Sequence, residues 1–261
     1  GDQLPLLSAL AALPTPVIVV LVSGRTVSFG PGNHILANVS ALFSAFRPGQ
    51  MGGPAIANLL LGKANPSGRL AQNWVRSSGQ AMSGASPWLQ WRVGKWVANY
   101  RGQPPDPDGR RYDNYGGKEN ADPEANGRAD PLFHFGQGLS YTTFTMSNLT
   151  VVATGEMPDV SLIVTNSGRV RGTSVVQVYV VDPVMEYVRP WKRLLTFARV
   201  TIDAGGVQRV HIPVTAEQLA FQDDQSEAGV WRVVPGEYSI RVGPSSVEDT
   251  LVAKVHVVGD V

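Results

Sequence analysis

The sequence predicts two architectures in series, an α/β layer structure followed by an all-β sandwich, and three observations carry that division. A continuous β-branched run, Val17 to Val22, follows a short apolar helix pattern and a pair of prolines. Beyond Phe144 the apolar residues recur at every second position in short runs set between Gly, Asn and Pro. Between these regions, from about Ser77 to Pro131, lies a polar stretch far longer than the roughly 12 to 15 residues of an ordinary structureless connection. A chain of 261 residues has room for two domains of about 100 to 200 residues each.

Residues 6–13 (LLSALAAL) are apolar on most faces, as in a helix packed between layers, and Pro14 and Pro16 end it. Val17 to Val22 then reads as a strand buried on both faces, typical of a mostly parallel sheet covered by helices. Val39 to Phe46 is a second strand. Gly49, Gly52 and Gly53 permit a tight turn after it, and a helix runs from Pro54 to Leu61 with proline in its first turn and Gly62 at its end. Asn65-Pro66-Ser67-Gly68 turns the chain into a short strand near Leu70 to Val75. Helix, strand, strand and helix make the tail of an α/β layer structure, too little of one to close by itself. In the second half the alternating sets are Val160, Leu162 and Val164; Val176, Val178 and Val180; Val210, Ile212 and Val214; Tyr238, Ile240 and Val242; and Leu251, Ala253, Val255 and Val257. Five such strands between turn signals specify a β-sandwich.

Composition narrows the function classes. The formal charge is +1 and only 16% of residues are charged, so no polyanion-binding surface is implied and no nucleic-acid partner is expected. There is no Cys, which excludes disulfides, thiol catalysis and thiolate metal sites. His34, His134, His211 and His256 are far apart, with no metal-ligand spacing, so neither a metal nor another cofactor is expected. Leu4 to Ser23 is uncharged and long enough for a membrane span, but Pro5, Pro14 and Pro16 break it. Gly1-Asp2-Gln3 supplies neither an initiator Met nor a basic n-region, so this start reads as a poor signal peptide. Gly30-Pro31-Gly32-Asn33-His34-Ile35 lacks the third glycine of a dinucleotide fingerprint, Gly62-Lys63-Ala64 lacks the Ser/Thr of a phosphate loop, and no G-x-S-x-G elbow occurs.

Six segments in fixed order do match a pattern: residues 1–24 (GDQLPLLSALAALPTPVIVVLVSG), 46–70 (FRPGQMGGPAIANLLLGKANPSGRL), 131–144 (PLFHFGQGLSYTTF), 164–183 (VTNSGRVRGTSVVQVYVVDP), 189–200 (RPWKRLLTFARV) and 231–246 (WRVVPGEYSIRVGPSS). In these the chain resembles the C-terminal half of family 3 glycoside hydrolases, the β-glucosidase and β-xylosidase family. The resemblance implies a partial α/β sandwich domain over 1–76, a long insert and inter-domain linker over 77–144, and a fibronectin type III-like β-sandwich over 145–261. It also implies a retaining β-glycosidase acting on terminal β-linked glucose or xylose, with a β-glucoside or oligosaccharide as substrate. Retention needs two carboxylates about 5 to 5.5 Å apart. In this family one belongs to a barrel and the other to the α/β sandwich, both upstream of the position matched by Gly1, so no catalytic residue is assigned here. The N-terminal barrel, as a segment or a separate chain of the same enzyme, is the expected partner, and the chain is expected to be inactive without it.

Several residues are open to a functional and a plainer reading. Trp88, Trp91 and Trp96 could stack sugar rings in outer subsites, or pack the long loop onto its domain. Glu119 and Glu124 lie in the same loop, where solvated charges far outnumber catalytic ones, and neither is assigned. Asn38-Val39-Ser40 and Asn148-Leu149-Thr150 are N-glycosylation sequons, which would suit an extracellular, secreted protein. Tyr141 and Phe144 are expected to anchor a hinge between domains, and Arg189-Pro190-Trp191-Lys192 to clamp the sandwich to its neighbour. A competing reading is a non-catalytic extracellular structural or carbohydrate-binding protein that has lost the barrel and self-assembles as a homo-oligomer to bury its open sheet. Two departures from the family's pattern favour it: Ala204-Gly205-Gly206 where Pro-Gly-Glu is common, and FHFGQG where FPFGYG is usual.

Overall fold

The computed structural model describes residues 2–29, 31–74, 131–154, 157–183, 192–222 and 231–258. Among these, two compact units form. The first holds residues up to 64 with 73–74 and 131–133; the second holds 65–72 and everything from His134 onward.

In the first unit, helix α1 (Gln3–Ala11) ends where the prolines require it, with Leu13 N–H still bonded to Leu10 O at 3.0 Å. Strand β1 (Ile18–Leu21) pairs in parallel with β2 (Ala41–Ser44), Ile18 opposite Ala41 and Leu21 opposite Ser44, and a 3₁₀ helix (Pro31–Asn38) lies between them in the chain. Gly49 adopts φ 69° in the turn after β2, and α2 (Gly52–Leu60) follows. A Cβ on Gly52 would fall 2.6 Å from the Pro48 ring, so this glycine is needed for close approach; Gly53 has nothing within 4 Å and is not. Pro54 sits in the first turn of α2, where its missing N–H removes no helical bond. Gly62, at φ 68°, donates to Leu59 O and terminates the helix.

Two expectations fail in this unit. α1 buries none of its residues, and β1 is half-buried with Ile18 exposed rather than buried on both faces. The apolar pattern is that of an inner strand, but among the described residues β1 and β2 form the whole sheet. Where a short strand was expected near Leu70 to Val75, residues 70–74 form only the isolated bridge at Trp74, and Val75 lies outside the described residues. Leu70 bonds instead to the second unit's own backbone, donating to Gln137 O at 3.0 Å and accepting from Gly136 N at 2.7 Å.

The second unit is a two-sheet sandwich. One sheet has the order β3 (Phe144–Thr154), β4 (Met157–Asn166), β7 (Val207–Pro213); the other has the order β11 (Leu251–Val257), β10 (Gly236–Gly243), β5 (Gly172–Val181), β6 (Arg193–Ile202), and all pairings are antiparallel. Between β7 and β10 come the one-turn helix α3 (Ala216–Leu219) and the two-stranded ribbon β8 (Phe221–Gln222) and β9 (Trp231–Arg232). Thr215 and Gln218 cap α3 reciprocally, each side chain bonding the other's backbone N–H. Strict alternation along β4 sends Val160, Leu162 and Val164 into the core, where they pack with Val176, Val178, Val180, Tyr238, Ile240 and Val242. Fully burying each such side chain contributes about 1.5 to 3 kcal/mol, which makes this core the main stabilising element.

Candidate functional site

β5 is buried on both of its faces. Val176, Val178 and Val180 point into the sandwich core, whereas Val175, Gln177 and Tyr179 belong to the opposite face and are buried as well. An antiparallel sheet ordinarily leaves its outer face to water. Here residues 134–137 and 244–249 of the same unit provide that face with its partners.

The partners are polar. Gln177 Nε2 donates to Gly136 O at 2.9 Å and to Pro244 O, and Tyr179 Oη donates to Gln177 Oε1 at 2.5 Å. Ser246 N–H donates to Phe135 O at 3.1 Å. Gly136 fits only because it has no side chain: its φ is 79°, and a Cβ would lie 2.0 Å from Gln177 Oε1. Beside this cluster Lys192, 2% exposed, places Nζ 2.6 Å from Asp249 Oδ2 and 2.5 Å from Ser246 O, and 5.2 Å from the Tyr179 ring centroid. Arg241 Nε reaches the same Asp249 oxygen at 2.8 Å. Burial pushes the Lys192 pKa down, against the pull of Asp249, and burial with the nearby Asp249 charge pushes the Tyr179 phenol up.

This arrangement holds backbone segments together, and its carboxylates are committed to that task. Asp249 is shared by Lys192 and Arg241, and the other buried carboxylate, Asp182, pairs with Arg193 at 3.3 Å. A glycosidase acid needs a carboxyl kept protonated beside a substrate cleft, the reverse of an ion-paired carboxylate. Among the described residues no group of His, Asp or Glu could hold a metal ion.

The structure treats the sequence-derived residues unequally. Trp88, Trp91, Trp96, Glu119 and Glu124 lie outside the described residues, as do Arg189, Pro190 and Trp191. Lys192, the one described residue of the expected clamp, pairs with Ser246 and Asp249 of its own unit. Asn38 is exposed at the end of the 3₁₀ helix. Asn148 is exposed in an irregularity of β3 between Ser147 and Thr150, at φ 54°. Of the two expected hinge anchors, Phe144 packs on the sandwich core and Tyr141 is exposed. Lys192, Asp249, Arg241 and Gln177 as one cluster escaped the sequence reading. The available signal was the second parity of β5: Val175, Gln177 and Tyr179 contain no charge, which an exposed sheet face would carry.

The long insert has a defined stem in the first unit. Trp74 N–H donates to Phe133 O at 2.8 Å, Leu132 N–H donates to Trp74 O at 2.7 Å, and the two rings meet edge to face with centroids 6.2 Å apart. Trp74 is buried, its indole N–H donating to Val27 O at 2.8 Å.

Fold and site together define a scaffold class: part of an α/β sandwich domain followed by a fibronectin type III-like β-sandwich. Family models place it further. Residues 1–141 match the glycosyl hydrolase family 3 C-terminal domain and residues 174–246 the fibronectin type III-like domain. The chain belongs to glycosyl hydrolase family 3. It is 32% identical over 255 residues to a periplasmic β-glucosidase of Salmonella typhimurium, covering 94% of this chain and 29% of the relative. A β-xylosidase of Formosa agariphila is 32% identical over 256 residues, covering 96% of this chain and 31% of that protein. Among solved structures, DesR, a β-glucosidase from Streptomyces venezuelae in complex with D-glucose, superposes with a TM-score of 0.75 at 32% identity over 99% of this chain and 31% of its own. The chain therefore spans about 30% of the length of the relatives it matches.

Proposed function

We propose that the chain is the C-terminal portion of a retaining β-glycosidase that removes terminal β-linked glucose or xylose, and that it is inactive without an upstream barrel and acid/base segment. The observation that carries this reading is the asymmetry of the match: 94% of this chain aligns with a β-glucosidase of which it covers only 29%. The first unit supports it, since Leu6, Leu10, Leu13, Ile18 and Val22 are exposed on or beside α1 and β1, where a larger domain would cover them. In the proposed enzyme the barrel supplies the nucleophile and the missing part of the α/β domain supplies the acid/base, with the two carboxyls about 5 to 5.5 Å apart. Residues 1–76, 77–144 and 145–261 then serve as partial α/β domain, insert with linker, and sandwich. Trp88, Trp91 and Trp96 form outer subsites for an oligosaccharide, and Asn38 and Asn148 carry glycans on a secreted protein. Exposure of both asparagines is compatible with that modification. No helix among the described residues is long and apolar enough to cross a membrane.

The alternative of a self-assembling structural or carbohydrate-binding protein draws on the same exposed apolar residues, covered by a second copy. Intact and native mass spectrometry of the natural material separates the two. A polypeptide or tightly bound partner carrying the upstream barrel, active on aryl β-glucosides or β-xylosides, supports the enzyme; this chain alone or as a homo-oligomer overturns it.

A further inference from the structure

We infer that Leu139, Tyr141 and Val170, on the second unit, form the seat on which the polypeptide upstream of Gly1 docks. The inference rests on the reading above, that the chain is the C-terminal portion of a larger enzyme. Leu139 is 84% exposed, Tyr141 47% and Val170 44%. A leucine so exposed is unremarkable on a loose loop, but this one is held on a fixed backbone. Asn65 Oδ1 accepts from Ser140 Oγ at 2.9 Å and from Tyr141 N at 2.8 Å, while Asn65 Nδ2 donates to Arg171 O at 3.1 Å. One asparagine thus ties together the two short segments that carry the three apolar side chains.

The backbones beneath them are in close contact. A Cβ on Gly138 would lie 2.4 Å from Gly68 O, and one on Gly172 would lie 2.7 Å from both Asn65 Nδ2 and Thr142 Cγ2. Thr142 Oγ1 donates to Asn166 Oδ1 at 2.6 Å, and Asn166 Nδ2 donates to Val170 O at 2.9 Å. Fixing the backbone in advance removes ordering entropy that docking would otherwise have to overcome.

The size of the patch selects its occupant. Three side chains, even at the roughly 250 Å² that the largest aromatics bury, fall short of the about 800 Å² per partner of a stable interface between separate molecules. A second copy of the chain, having no tether, would have to bury more surface than this patch alone supplies. A segment of the same polypeptide does not, because a tether raises its effective concentration to about the millimolar range. The relatives supply such a segment, since this chain accounts for only 29 to 31% of their length.

The chain contains no cysteine, so single thiols placed in it report on their own surroundings. Leu139→Cys and, separately, Val152→Cys are introduced into the natural polypeptide that contains this chain, Val152 being a 53% exposed control on β3. Thiol labelling is followed by peptide mass spectrometry in the native state and after denaturation. Native labelling of Leu139→Cys at least about 10-fold slower than that of Val152→Cys, each normalised to its denatured rate, is the expected result. Equal rates in a polypeptide that carries an upstream segment overturn the docking inference and leave the proposed function standing. Native mass spectrometry that finds this chain alone or as a homo-oligomer, with neither an upstream segment nor a bound barrel chain, overturns both. Protection that appears only as protein concentration rises assigns the patch to a second copy and likewise overturns the inference. Val170→Cys is the second reporter should Leu139→Cys not fold, with the same outcomes.

Discussion

The two units divide the apolar residues of one sequence very differently. Of the buried hydrophobic side chains among the described residues, Phe29 and Trp74 lie in the first unit and all the others in the second. The first unit is not poorer in apolar residues; residues 4–22 contain one charge-free run from Leu4 to Val22. What it lacks is a second layer. A two-stranded parallel pair leaves most of its side chains at a boundary, whereas two antiparallel sheets facing each other enclose theirs. Hydrophobic sequence alone therefore does not make a core; a facing layer does.

Substitutions can sharpen that contrast. Lys192→Met, which removes the closest partner of a buried Asp249, is expected to destabilise the sandwich by about 3 to 5 kcal/mol, read from the urea midpoint. Removing core volume in Ile240→Ala should lose about 2 to 4 kcal/mol in the same measurement. For Gly136→Ala the strain of positive φ and the collision with Gln177 predict a loss of about 1 to 3 kcal/mol, and Gln177→Ala in the same chain should recover part of it by relieving the collision. At the opposite extreme, Leu6→Ser in the exposed helix α1 should change the stability of this chain by no more than about 0.5 kcal/mol. If it were strongly destabilising in this chain, the contrast between the units would fail; if it destabilises only a longer polypeptide, α1 is covered there.

Alkaline titration tests the cluster on the outer face of β5 with a sign that differs between its members. Tyr179 is raised above 10.0, so the folded state keeps a proton that the unfolded state loses, and stability declines as pH rises past 10.0 by about 1.4 kcal/mol per pH unit. Lys192 is lowered below 10.5, so over the interval between its folded value and 10.5 the unfolded state holds more protons and stability increases with pH. Urea midpoints of Tyr179→Phe measured from pH 8 to about 12 should lack the decline. A decline unchanged by that substitution would assign it to other groups.

How much of this was legible varied from strand to strand for identifiable reasons. β4 was legible because its pairing with β7 is regular and its inward residues fall at strict period two. β6 was not, because its register shifts opposite Val178 and Tyr179, and its buried residues change parity from Leu195 to Val200 and Ile202. β3 hides for the same reason around Asn148. In the first unit the pattern of β1 correctly signalled a sheet but not its burial, since burial depends on layers beyond the strand itself. The buried ion cluster was least legible of all: Lys192 and Asp249 are 57 residues apart, and no local rule brings them together. The family was legible from the order of its motifs, whereas the aromatic residues of the insert are outside the described structure.

The stem at Trp74 and Phe133 has a consequence for how such a chain can change over generations. Because the backbone leaves and returns through the same short antiparallel bridge, the intervening sequence can gain or lose residues without moving either end. A change of length between Trp74 and Phe133 therefore acts on the stretch they bracket and not on the bridge that closes it.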